Sequence, residues 1–243
     1  MVSPDGYALD VRGISASYGA RQVLDDVTIQ VATGELLAVL GHNGAGKTTA
    51  LRVIAGLKVP TAGSINMDGV SLVGMPTYAR SRLGLGVVPE GVSGLFPTLT
   101  VRQNLEAVVP CTDNPRTDAW SKMDDHLKDI FSEVLVDRTQ QIAGSMSGGQ
   151  RQMLAIAMAL ARRPKVLLLD EPSTGLAPFV VERILKVIQT LVHTTPTSVV
   201  LVEQNLSNAL KVSSRAIVVQ SGRIATEFTQ GDFPSPTELW RYF

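Results

Sequence analysis

The stretch GHNGAGKTT, Gly41 to Thr49, constrains this 243-residue chain more than any other. It fits G-x-x-x-x-G-K-[ST], a pattern that works between a strand and a helix. Both flanks agree: ELLAVL reads as an apolar strand before it. A helix should follow Gly46, with Leu51, Val53, Ile54 and Leu57 on its buried side. Within the loop, glycines at 41, 44 and 46 let backbone N–H groups of His42, Asn43 and Ala45 turn onto phosphate oxygens without Cβ clashes. Lys47 can reach β- and γ-phosphates, the Thr48 hydroxyl can ligand magnesium, and Thr49 continues into the helix. The helix directs its positive end at the anion. A glycine-rich turn without a nucleotide is the alternative, and Lys47-Thr48 in this context argues against it.

A second segment fits the same chemistry. KVLLLDEP, residues 165–172, is an apolar strand ending in two carboxylates. Strand-end acids are often only turn formers. Near a phosphate loop, however, Asp170 suits a magnesium-side ligand and Glu171 can orient and deprotonate the attacking water.

The surrounding pattern is α/β. YALDVRGISASY, DDVTIQV, ELLAVLG and GSINMDG read as strands, as does LGVVPE at 85–90. Between 98 and 161 the signals turn helical, in TVRQNLEAV, WSKMDDHLKDIFSEVL and QRQMLAIAMALA. The last is apolar nearly all round and hence buried. After Pro164 strands and helices alternate again: VLLLD, VVERILKVIQTL, SVVLVE, NLSNALKV, AIVVQ. That rhythm means a parallel sheet. The expectation is one domain over 1–243, with a core from about 1–91 and 161–243 interrupted by a helical insert at about 92–160.

SMSGGQ, residues 145–150, supports two readings at once. Ser147-x-x-Gln150 is a capping box at the start of the buried helix. The same capped start, with bare Gly148 and Gly149, offers N–H groups, a hydroxyl and a dipole to an anion. Capping gives no reason for two consecutive glycines, each costing up to about 1 kcal/mol in a helix.

Composition removes several function classes. The 22 basic and 22 acidic residues cancel, which argues against nucleic acid as a partner. Arg162-Arg163 and Lys165 read as a solvated helix end. Cys111 is the single cysteine, and His42, His126 and His193 lack metal-ligand spacing. MVSPDGYALD is not a secretory signal, and VLLL and SVVLV are too short to cross a bilayer. The expected location is cytoplasmic, with membrane association only through a partner. Phe233, Trp240, Tyr242 and Phe243 in the tail fit either packing onto the domain or docking of a partner.

GHNGAGKTT, SGGQ and LLLDEP, in that order, resemble the ATPase domains of ABC transporters over essentially the whole chain. The resemblance implies a RecA-like P-loop NTPase core with an N-terminal antiparallel β subdomain and an inserted α-helical subdomain. It implies ATP and Mg2+ as ligands, and a head-to-tail dimer (homo- or heteromeric) in which Ser147 to Gln150 complete the site of the opposite subunit. Tyr18, alone just a strand-end tyrosine, matches the aromatic that stacks on adenine. Glu90 falls where most members carry a glutamine that contacts magnesium and water and senses the membrane partner. Gln204 falls where most carry the switch histidine, and Ala177 replaces the usual aspartate. These departures suit either a degenerate ATPase or an active one, and intact Lys47, Thr48, Asp170 and Glu171 favour the active enzyme. VPEG, EPSxGLAP and VEQN resemble the subfamily that powers branched-chain amino acid importers, with urea or amide importers close by. The implied partners are membrane permease subunits, which the helical insert and the loop around 90–97 would contact, and indirectly a solute-binding protein. A soluble, non-transport ABC ATPase and a non-hydrolysing regulatory subunit are the competing readings.

Overall fold

The computed structural model describes residues 6–91, 94–108, 131, 135–233 and 238. Two sheets carry the chain. A six-stranded sheet has the order β10-β9-β3-β8-β7-β6. It is formed by β3 (Leu36–Leu40), β6 (Leu85–Val88), β7 (Val166–Asp170), β8 (Ser198–Val202), β9 (Arg215–Gln220) and β10 (Arg223–Thr229). Its pairs are parallel except at the β9–β10 edge, which is antiparallel. An antiparallel sheet of order β2-β1-β4-β5 holds β1 (Tyr7–Tyr18), β2 (Arg21–Ala32), β4 (Ala62–Met67) and β5 (Val70–Ser71).

The continuous apolar runs have a simple cause. Every residue of β3, β7 and β8 is buried, because both faces of the parallel sheet are covered. Along β7 the faces alternate. Val166 and Leu168 join a core with α1 (Lys47–Ala55) and the apolar face of β1 and β2. Leu167 and Leu169 join a second core with α4 (Gly148–Leu160) and α5 (Pro178–Thr194). The phosphate-loop helix thus lies between the two sheets, and the SGGQ helix on the opposite face.

The remaining helices are α2 (Thr77–Leu83), α3 (Val101–Val108) and α6 (Leu206–Val212). Two details depart from the sequence reading. Leu57 is 64% exposed, because α1 ends at Ala55 with Gly56 in the left-handed conformation, so the helical period no longer points residue 57 inward. Strand β10, whose residues alternate exposed and half-buried, and helix α2 were not anticipated. The helix expected at 120–135 lies outside the described residues except Phe131 and Leu135, which are buried in the α4–α5 core. Of the aromatic tail, Phe233 packs half-buried against the small cluster that includes Leu40, Ala209 and Val218, and Trp240, Tyr242 and Phe243 lie outside the described residues. No helix among the described residues is long and apolar enough to cross a membrane.

Candidate nucleotide site

The loop after β3 is shaped by its surroundings before any ligand is considered. Gly41 has φ 151°, and a Cβ there would stand 2.3 Å from the Val219 carbonyl oxygen of β9. Gly46, the N-cap of α1, has φ 113°, and its Cβ would meet Leu24 Cδ2 at 2.9 Å and the Val23 carbonyl at 3.0 Å. Ala45 accepts the Gly222 N–H at 2.8 Å, so the turn before β10 braces the loop from outside. No side chain caps α1. Asn43 and Gly44 at the loop's tip are exposed, and His42 turns Nδ1 to the Asn43 carbonyl at 2.7 Å. Lys47 is buried, and its ammonium donates to the carbonyls of Gly41 (2.7 Å) and His42 (3.1 Å). It fixes a positive charge at the centre of the loop.

The acids converge on that charge. Glu171 Oε1 lies 3.7 Å from Lys47 Nζ. The Thr48 hydroxyl, in the first turn of α1, donates to Asp170 Oδ1 at 3.1 Å, tying the loop to the end of β7. Burial pushes the Asp170 carboxyl up, and the charges of Glu90 and Glu171 push it further, against the Thr48 hydrogen bond. Glu90, though exposed, is therefore near enough to act on Asp170. Among the described residues, no group of three or more His, Cys, Asp or Glu could hold a metal ion by itself. Hydroxyl and carboxylate oxygens do suit Mg2+, which keeps several waters and takes its other ligands from phosphates.

Glu171 has φ 46°, which is uncommon for a residue with a side chain and costs about 1–3 kcal/mol. Its N–H donates to the Val202 carbonyl at 2.9 Å, and its Oε2 accepts from the Thr174 hydroxyl at 3.1 Å.

Ser147 to Gln150 stand apart from this cluster. The Ser147 hydroxyl accepts the Gln150 N–H at 3.3 Å, and the Gln150 side chain accepts the Ser147 N–H at 3.0 Å, a complete capping box. The two glycines separate. A Cβ on Gly149 would meet Val180 Cγ1 of α5 at 2.7 Å, so close helix packing requires it. A Cβ on Gly148 would meet only Leu176 Cδ2, at 3.8 Å. Neither has positive φ. Gly148 alone keeps no explanation within its own chain.

Tyr18, at the end of β1, is 44% exposed with Lys58 Nζ 4.5 Å from its ring centroid. A hydrogen bond from Arg52, with a smaller one from Thr49, holds its hydroxyl below the ordinary tyrosine range, so the ring sits beside α1. Gln204 is exposed on the wall of a groove shared with Ser173, Thr174 and Leu206, and no hydrogen bond joins it to Lys47, Asp170 or Glu171. Ala177 is the uncapped N-cap of α5. The described geometry thus gathers Lys47, Thr48, Asp170, Glu171 and Glu90 and leaves Ser147 to Gln150 and Gln204 outside.

Three supporting residues escaped the sequence reading. Buried Arg80 donates to the Val53, Ile54 and Met75 carbonyls, closing the end of α1. Buried Asn104 takes the Phe96 N–H and donates to the Phe96, Leu99 and Thr100 carbonyls. Buried Glu203 takes the Ser173 N–H. Polar residues inside helical or strand patterns carry no sequence mark of the backbone they satisfy. VEQN gave a partial signal at Glu203.

Known proteins resemble this chain in sequence and fold. The model of the family described as ABC transporter matches residues 24–174. The high-affinity branched-chain amino acid transport ATP-binding protein BraG of Pseudomonas aeruginosa is 43% identical over 216 residues, 89% of this chain and 90% of its own. The lipopolysaccharide export system ATP-binding protein LptB of Escherichia coli is 33% identical over 95% of this chain and 92% of its own. A solved ATP binding subunit of an ABC transporter superposes with TM-score 0.82 at 25% identity, covering 96% of this chain and 98% of that one. The chain belongs to the ABC transporter family, as one of its ATP-hydrolysing cassettes.

Proposed function

We propose that this chain is the ATP-hydrolysing subunit of an importer for branched-chain or other hydrophobic amino acids. The observation that carries the catalytic part is the meeting of Lys47, Thr48, Asp170 and Glu171 at the ends of β3 and β7. Lys47 and the loop N–H groups bind the phosphates, and Tyr18 stacks on the adenine. Thr48 and Asp170 would hold Mg2+ with Glu90 close by, and the ion would supply positive charge against the phosphates. Glu171 takes a proton from water as the water oxygen bonds the γ-phosphorus and the bond to the leaving oxygen breaks. Gln204, from a turn that neighbours the catalytic loop, donates an amide N–H to the γ-phosphate; it cannot titrate as histidine would. Ser147, Gly148, Gly149 and Gln150 serve the nucleotide of a second cassette in a homo- or heterodimer, because the capped helix start lies outside the chain's own cluster.

Coupling to permease subunits at the inner face of the membrane runs through the segment after Glu90. Asn104 clasps it, and it is zipped to the segment before Ser147 by Gly144 N–H to the Pro97 carbonyl and Ala143 N–H to the Leu99 carbonyl. Phe96 and Ile142 are exposed there. Amino-acid import is supported by BraG at 43% identity, above the exporter subunit LptB at 33%, and by the VPEG and VEQN segments. A strain lacking this chain should lose energised uptake of labelled leucine, isoleucine and valine, with rescue by the wild-type chain and none by Glu171→Gln. Unchanged uptake of all three would exclude the branched-chain reading, leaving urea or amide import and export for test.

A further inference from the structure

We propose that Glu203 is a positioning residue for ATP hydrolysis: by accepting the Ser173 N–H, its buried carboxyl holds the turn that keeps Glu171 against Lys47. This rests on the reading of Glu171 as the base.

Glu203 is anchored at both ends. Its own N–H continues the sheet by donating to the Val39 carbonyl at 3.3 Å, in the strand that feeds the phosphate loop. Its side chain is 1% exposed and Oε1 accepts the Ser173 N–H at 3.2 Å. Glu203 therefore ties the turn after β7 to the same strand that delivers Lys47. Glu171 and Lys47, 3.7 Å apart, are referenced to one framework.

The turn needs such a tie. A glutamate at φ 46° persists only where its surroundings over-determine it. The Val202 carbonyl fixes where the turn begins, and Thr174 binds Glu171 twice, by N–H to its carbonyl and by hydroxyl to its carboxylate. Both Thr174 bonds travel with the turn and cannot locate it. Among the described contacts, the far limb is joined to another element at Ser173, whose N–H donates to Glu203 Oε1 and whose side chain also bonds that carboxyl. Ser173 is itself buried, so loss of the acceptor strands a buried N–H, which costs about 1–3 kcal/mol in any arrangement that keeps it there. The limb would move to find water, carrying Thr174 and the Glu171 carboxylate with it.

Only one oxygen does this work, since Oε2 has no hydrogen-bond partner. The role therefore needs one acceptor at one distance and no charge, which separates it from a proton-carrying role. Glu203→Gln keeps the acceptor at full length and loses the charge. Glu203→Asp keeps the charge and withdraws the acceptor by one methylene.

The test is steady-state ATPase turnover and equilibrium ATP affinity for the full chain in its assembled transporter. Glu203→Ala should lower kcat by roughly tenfold or more, since ångström-scale misplacement of a catalytic group costs up to about 10²-fold. ATP affinity should stay within about twofold, because Lys47 and Thr48 are untouched. Glu203→Gln should restore most of the turnover, and Glu203→Asp should fall towards the alanine level. Wild-type turnover in Glu203→Ala, or a weak Glu203→Gln beside an active Glu203→Asp, would overturn the proposal. If the alanine chain does not fold, the Gln–Asp pair decides alone. Wild-type turnover in Glu171→Gln would remove the base assignment itself, whatever the Glu203 variants do.

Discussion

Two glycine-rich turns in this molecule each introduce a helix, and they are built on opposite terms. The turn at Gly41 to Thr49 is left open: α1 has no side-chain cap, Gly41 and Gly46 take backbone angles that other residues resist, and neighbouring carbonyls leave no room for a Cβ. The turn at Ser147 to Gln150 is closed upon itself by a capping box and ordinary backbone angles. In the first, the Ala45 N–H turns back to the His42 carbonyl at 3.2 Å, and acids and a lysine gather around a helix start that no side chain caps. The second is stable without a ligand, and only Gly148 lacks an internal reason. The difference teaches that a helix start can be left uncapped with a lysine and acids gathered around it, or closed by its own side chains, and it supports the proposal that the second turn serves a partner's phosphate.

The largest effects should come from the open turn. Lys47→Ala removes the buried charge at the centre of the loop, proposed to meet the γ-phosphate, and should abolish nucleotide binding or turnover, read by fluorescent-nucleotide titration and phosphate release. Gly41→Ala should be as severe, because a Cβ 2.3 Å from the Val219 carbonyl must displace either the loop or β9. Near-normal turnover in either variant would erase the contrast between the two turns.

The adjacent glycines of the closed turn sharpen it. Gly149→Ala forces a methyl into Val180 and should cost about 1–3 kcal/mol of stability, measured as a lower denaturant midpoint. Gly148→Ala meets only an ordinary contact, Leu176 Cδ2 at 3.8 Å, and should be neutral or stabilising, by at most about 1 kcal/mol. Yet it should lower ATP turnover, on the proposal that the bare backbone there meets a partner's nucleotide. A stable, fully active Gly148→Ala would leave the signature turn with a capping role only.

Those two glycines also show where sequence reading stops. Their identity and spacing were visible, as were the strand-end acids, because each motif is contiguous and its chemistry is local. That Gly149 faces Val180, 31 positions later, depends on how α4 meets α5 and has no trace in either segment. Arg80 is similar: its burial over the end of α1 follows from the packing of α2 and has no mark in the local sequence. Leu57 fails for the opposite reason, since the helical period was extended past Gly56, where the backbone turns left-handed. Glu171's strained φ could not be read from LLLDEP, although the need to aim a carboxylate out of a buried strand could.

The smallest effect concerns pH. Burial raises the Glu203 carboxyl above its ordinary value of 4.5, and the charge of Glu171 adds to this against the Ser173 and Asn205 hydrogen bonds. The folded chain then binds that proton more tightly than the unfolded chain does. Stability should therefore be greatest below the ordinary value, fall as pH rises through the raised one, and level off above it. Glu203→Gln should remove this part of the slope in thermal melts across that range. An unchanged slope would mean that Glu203 does not titrate there.

The contrast between the two turns is tested most directly by placing Ser147→Arg in a Glu171→Gln chain and measuring ATP affinity and ATP-driven dimerisation together. A chain whose signature turn serves a partner's nucleotide should bind ATP as a monomer with unchanged affinity and fail to form the ATP-bound dimer that Glu171→Gln alone accumulates. Weakened ATP binding by the monomer, or a dimer formed as readily as before, would contradict it.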